Sequence, residues 1–93
     1  MIDFLKTFLA VASSGNFSEV ARQQDVAVSS VTRKVDALEA ELGTPLFHRS
    51  SRRVHLTDAG EQFVPRARTI LSEIAAARDA LHQLDDLPRG PLT

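Results

Sequence analysis

Between Gln24 and Val28 there is room for a turn of only three residues, and helical patterns lie on both sides of it. Two helices joined so tightly must cross at close quarters, which limits the chain to a small set of helical folds. The first of the pair is brief. Phe17-Ser18-Glu19 offers a hydroxyl as N-cap, an apolar residue ahead of it and an acid in the first turn, so the sequence predicts a helix from about Ser18 to Gln24. Val26 falls in the turn, and Ala21 suits a close crossing. The second helix, about Val28–Leu42, carries Val31, Val35, Leu38 and Leu42 in steps of four, three and four, a single apolar stripe. Opposite that stripe lie Ser29, Arg33 and Asp36. Leu42-Gly43-Thr44-Pro45 ends it, because glycine accepts the left-handed C-terminal conformation and proline cannot extend the ladder. This is the helix-turn-helix arrangement, whose second helix is suited to the major groove of DNA.

Leu46-Phe47-His48-Arg49 and Val54-His55-Leu56-Thr57 are short, partly alternating runs on either side of Ser50-Ser51-Arg52-Arg53. They predict a two-stranded hairpin with a polar tip, a wing beside the helix pair. From Leu46 to Thr57 there are three arginines, two histidines and no carboxylate, which predicts a local positive pole fit for phosphates or a narrow minor groove.

Upstream, Ile2, Leu5, Phe8, Leu9 and Ala12 define the inner side of a first helix, stopped by Ser13-Ser14-Gly15-Asn16. Downstream, Thr57 caps a last helix from about Asp58 to Asp86, roughly 43 Å long at about 1.5 Å per residue. Phe63, Ala67, Ile70, Ile74, Ala77, Leu81 and Leu84 alternate steps of four and three along it, the spacing of a two-helix seam. Its first two turns are expected partly against Phe4, Phe8 and the rest of the same domain; beyond Ile74 it outruns any core this chain can build, so a second copy is the expected cover. Pro65 removes the hydrogen bond to the Glu61 carbonyl and predicts a bend.

The blocks F-S-x-x-A (Phe17 to Ala21), L-E-x-E-L-G (Leu38 to Gly43), P-L-F-x-R (Pro45 to Arg49) and L-T-x-A-G (Leu56 to Gly60) occur in order and at consistent spacing. Over Phe8 to Gly60 the chain resembles the N-terminal domain of LysR-type transcriptional regulators. The resemblance implies a mainly α fold, a winged helix-turn-helix of three core helices and a two-stranded wing over residues 1–57. It also implies a linker and dimerisation helix over 58–87, and in 88–93 the start of a connection to an effector domain absent from this chain. It further implies double-stranded DNA with an interrupted palindromic operator as partner, and a homodimer or higher homo-oligomer. No cofactor is expected here, a small-molecule effector belonging to the absent domain. Resemblance and stripe geometry together assign Ser18 and Arg22 to phosphates. Val28, Ser29, Ser30, Thr32, Arg33 and Lys34 are assigned to the groove, and Arg52 and Arg53 to flanking backbone or minor groove.

One departure from the family bears on mechanism. Where these regulators commonly open the recognition helix with serine, glutamine and proline, this chain has Ala27, Val28 and Ser29. Alanine offers no acceptor to the free amides, so the cap falls to Ser29 one turn later or to solvent. The glutamine base contact is lost, and Val28 is placed to touch a thymine methyl while Ser29 or Ser30 bonds a phosphate or base edge.

The chain as a whole is not basic: its net charge is −1 and its pI about 6.3. Distribution matters more than the sum. Arg22, Arg33, Lys34, Arg49, Arg52, Arg53, Arg66 and Arg68 occupy the middle, whereas Glu73, Asp79, Asp85 and Asp86 load the last helix with acid that a duplex would repel. With 93 residues and 43% hydrophobic content there is material for one modest core, expected around Phe4, Phe8, Phe17 and Phe47. No cysteine is present, which removes disulfides and thiolate metal sites. The run Ile2 to Ala12 contains Asp3 and Lys6 and lacks the form of a secretory signal, and no apolar stretch reaches membrane-spanning length, so a cytoplasmic protein is expected. His48 and His55 face each other across the hairpin, but no third metal ligand, phosphate loop or activated nucleophile accompanies them, and no enzyme is expected. The alternative to a DNA binder is a winged-helix module that contacts only proteins.

Overall fold

A computed structural model describes residues 2–49 and 53–86 of the chain. The elements follow in the order α1 (Ile2–Ser14), α2 (Phe17–Gln24), α3 (Val28–Leu42), β1 (Phe47–His48), β2 (His55–Leu56) and α4 (Asp58–Asp86). α1, α2 and α3 pack on one another, the two strands form the wing, and α4 returns across α1. The strands are antiparallel, pairing Phe47 with Leu56 and His48 with His55.

The core is a continuous cluster of Leu5, Phe8 and Val11 from α1, Val20 and Ala21 from α2, and Val31, Val35 and Leu38 from α3. Leu46, Phe47 and Val54 close it from the wing, and Ala67 from α4. Phe8 is the hub, its ring 5.5 Å from that of Phe47 and 5.3 Å from that of Phe63, both tilted, a geometry that aromatic pairs favour. Phe4 and Phe17 lie only partly buried at its margin.

Three sequence expectations are corrected. The inner stripe of α1 runs through Leu5, Thr7, Phe8 and Val11, leaving Ile2, Leu9 and Ala12 half-buried. Leu9 and Ala12 instead sit at the margin of the core, beside Val64 and Arg68 of α4. α2 begins at Phe17, and Asn16 is its cap: its side-chain oxygen accepts the Glu19 amide at 3.0 Å, the bond expected of Ser18. Leu42 has the right phase for the α3 stripe but is 41% exposed, because it sits in the last turn of the helix, past the packed residues.

The junction between wing and α4 depends on a close backbone approach. The Thr57 amide bonds the Leu46 carbonyl at 3.0 Å, and the Thr57 hydroxyl both donates to the Pro45 carbonyl and accepts the Gly60 amide. A Cβ on Gly60 would lie 2.2 Å from the Leu46 carbonyl oxygen, so only glycine fits there. At the other end of the wing the Val54 amide donates to the Gly15 carbonyl, 3.1 Å, tying β2 to the turn after α1.

Candidate nucleic-acid interface

α3 starts at Val28 with no side-chain cap: Ala27 contributes only its carbonyl, which accepts the Ser30 amide at 3.0 Å. Ser29 therefore lies within the helix and does not cap it. The turn before α3 spans Asp25, Val26 and Ala27. Asp25 adopts the left-handed conformation, φ 57°, its amide bonding the Arg22 carbonyl, and the Val26 amide bonds the Ala21 carbonyl. With Val20, Ala21, Val31 and Val35 buried beneath, every residue from Arg22 to Ser29 is exposed.

On α3 the residues opposite the buried stripe are Ser29, Arg33 and Asp36, all exposed. Val28 lies at one edge of this face; Ser30 and Lys34 are half-buried at the other. Thr32 differs from the expectation of a free groove-facing hydroxyl, since it is half-buried and donates to the Val28 carbonyl at 3.1 Å. On α2 Ser18 is exposed, and Arg22, 76% exposed, is paired with Glu19 one turn back. Arg53 is exposed on the wing, where it helps line a cleft with Ser13, Ser14 and Gly15 at the end of α1. Arg52 lies outside the described residues, as do the tip serines and residues 88–93.

The positive pole expected of the whole wing is only partly present. Arg49 is turned back onto α3, where its guanidinium bonds Asp36 at 2.7 Å and Glu39 at 2.6 Å and stacks over the Phe17 ring at 5.3 Å. Along the sequence Arg49 groups with the basic tip, because the two acids are ten and thirteen residues upstream. The useful signal was the joint presence of L-E and P-L-F-x-R, a carboxylate and an arginine on either side of a helix stop. In consequence Asp36, the one acid on the outer stripe of α3, is paired with a cation, while among the described residues none forms an ion pair with Arg33 or Lys34.

The seam residues of α4 divide into two groups. Ala67 is fully buried and Phe63 packs on Phe8, with Val64 and Leu71 beside them against the domain core. Ile74 is half-buried, whereas Ile70, Ala77, Leu81 and Leu84 are exposed, Leu81 to 61%. Phe63, Pro65 and Ile70 line an open apolar groove rimmed by Gln62, Arg66 and Thr69. No described helix is long and apolar enough to cross a membrane, and no group of three metal-ligating side chains occurs among the described residues.

Residues 2–61 match the family of bacterial regulatory helix-turn-helix proteins of the lysR type. The transcriptional regulator CrgA of Neisseria meningitidis serogroup B is 40% identical over 89 residues, 96% of this chain; the chain spans about 30% of the length of CrgA. Among solved structures, DarR of Vibrio fischeri in complex with DNA superposes with a TM-score of 0.89 at 30% identity, over 96% of this chain and 30% of DarR. The CbnR DBD–DNA complex gives 0.87 at 38% identity, covering 91% of this chain and 98% of that one.

Proposed function

The chain belongs to the LysR family of bacterial regulatory helix-turn-helix proteins, a family of transcription regulators and not of enzymes, and from that premise we propose that it binds double-stranded DNA sequence-specifically. α3 enters the major groove and the wing reaches the flanking backbone or minor groove. The observation that carries this reading is the outer face of α3. Ser29 and Arg33 are exposed together opposite the buried valines, and the acid between them and the wing is held by Arg49. A guanidinium so placed is suited to guanine O6 and N7. Ser18 and Arg22 lie at the approach side of α2 and hold phosphates; Arg52 and Arg53 do so from the wing. The transcriptional regulator CrgA and the DarR structure in complex with DNA support the same role for this chain.

α4 pairs with a second copy through Ile70, Ile74, Ala77, Leu81 and Leu84, giving two recognition helices and an interrupted palindromic operator. The chain covers about 30% of CrgA, and this reading assigns a small-molecule effector to a further domain. The protein works in the cytoplasm. Selection of bound sites from random duplexes, followed by affinity measurements on the selected and scrambled sites over a range of salt, tests the proposal. A selected motif with a steep negative salt slope is expected. Binding without sequence preference, or no salt-dependent DNA binding, would overturn it, the latter favouring a module for protein contacts alone.

A further inference from the structure

The leading end of α3 carries chemistry that does not suit a phosphate. From Gln23 to Ser30 there is no cation, one carboxylate (Asp25), and two exposed valines, Val26 at 39% and Val28 at 43%. The other large apolar side chains exposed among the described residues are Leu42, at the far end of α3, and Ile70, Leu81 and Leu84 on α4. Val26 and Val28 thus form a separate apolar pair at the tip of the helix-turn-helix. Their backbone is fixed, in the turn by the Val26 amide bonded to the Ala21 carbonyl and in the helix by Thr32 on the Val28 carbonyl.

An apolar surface entering the major groove meets one apolar group on the base edges, the C5-methyl of thymine. Two residues apart along the chain, the Cα atoms are separated by at most about 7 Å, the span of two base steps at about 3.4 Å each. Resting on the placement of α3 proposed above, we infer that Val26 and Val28 read C5-methyl groups of adjacent or next-adjacent pyrimidines in each half-site. Because 5-methylcytosine carries its methyl at the same groove position as thymine, the same pair makes binding sensitive to cytosine methylation at those steps.

The test uses the selected operator, with each thymine replaced singly by deoxyuridine, which removes the methyl and keeps the pairing and the O4 acceptor. One or two replacements per half-site are expected to weaken binding on the order of fourfold, the factor given by burying one methyl-sized group. Val28→Ala or Val26→Ala should each bind the thymine operator with that weaker affinity and lose the response to uracil at the one step its side chain reads, while the response at the other step stays. Cytosine at the sensitive step should bind about fourfold better when 5-methylated. Both positions are exposed, and at Val28 alanine also favours helix, so circular dichroism should report unchanged folding. Sequence-specific binding indifferent to every uracil replacement, or alanine variants that keep the wild-type response, would overturn the inference alone and assign the valines to a protein partner. Absence of sequence-specific binding by the wild type would remove the groove placement as well.

Discussion

Glu39 and Arg49 hold the end of α3 and the start of the wing together. One carboxylate oxygen of Glu39 accepts the Arg49 guanidinium at 2.6 Å, while the other accepts the Leu46 amide at 2.6 Å and the Phe47 amide at 3.3 Å. One half-buried side chain therefore satisfies two backbone donors in the segment after Pro45, and its other oxygen is held by the arginine. Since Arg49 also holds Asp36, this cluster links the stability of the wing to the electrostatics of the groove-facing helix.

Glu39→Ala should cost about 1–3 kcal/mol, because it leaves the two amides without an acceptor. Glu39→Gln, which keeps one oxygen, should cost less. At about 4–8 °C per kcal/mol for a domain of this size, thermal melts of the two variants will separate them. Equal midpoints would show that the amides are satisfied otherwise.

Arg49→Ala frees Asp36 on the outer face of α3 and should lower DNA affinity. Adding Asp36→Asn to that variant should recover much of the lost affinity, which a purely structural loss would not allow. Equilibrium titrations of the single and double variants at low and high salt check this, since the repulsion is screened by salt.

Gly60→Ala forces a methyl to within 2.2 Å of the Leu46 carbonyl oxygen and 2.8 Å of the Leu56 side chain, and should cost about 2–3 kcal/mol. Gly43→Ala meets nothing within 4 Å and carries only the strain of a residue at φ 74°, about 1 kcal/mol. Urea midpoints at unchanged slope should rank the two in that order.

Along α4, Leu81→Glu and Ala67→Glu should fail in different ways. Leu81 is 61% exposed, so glutamate there leaves the melting of the monomeric domain unchanged but shifts sedimentation from dimer to monomer. Ala67 is fully buried, and glutamate there should unfold the domain itself. A wild type already monomeric at high micromolar concentration would refute the seam.

Arg33 and Arg53 should differ in kind. Arg33→Ala is expected to cost about 1–3 kcal/mol on the preferred operator and to flatten discrimination at one base pair per half-site. Arg53→Ala should weaken all duplexes by similar factors and reduce the salt slope by about one per subunit. If the Arg33 variant loses operator and scrambled DNA equally, Arg33 is a phosphate anchor.

Local chemistry was enough to read the helix order, the bounds of α3, the strand partners His48 and His55 and the Thr57 cap, because each depends on residues within a few positions of one another. Four helical periods, a Gly-x-Pro stop and a threonine before an acidic turn act through the backbone at short range. Asn16 reads in the sequence as part of the stop after α1, and in the structure its side chain caps α2. What crosses the fold was not legible. That Arg49 belongs to Asp36 and Glu39, that Val11 and Thr7 are buried while Leu42 is not, and that Ala67 joins the core while Leu81 does not, depend on how α1, α3 and α4 cross. Periodicity gives the phase of a helix face but not the length over which a neighbour covers it, and charge counts along a segment omit the partners that packing brings from elsewhere. Those are set by tertiary contact, where desolvation and distance decide which apolar residue is buried and which cation stays available for DNA.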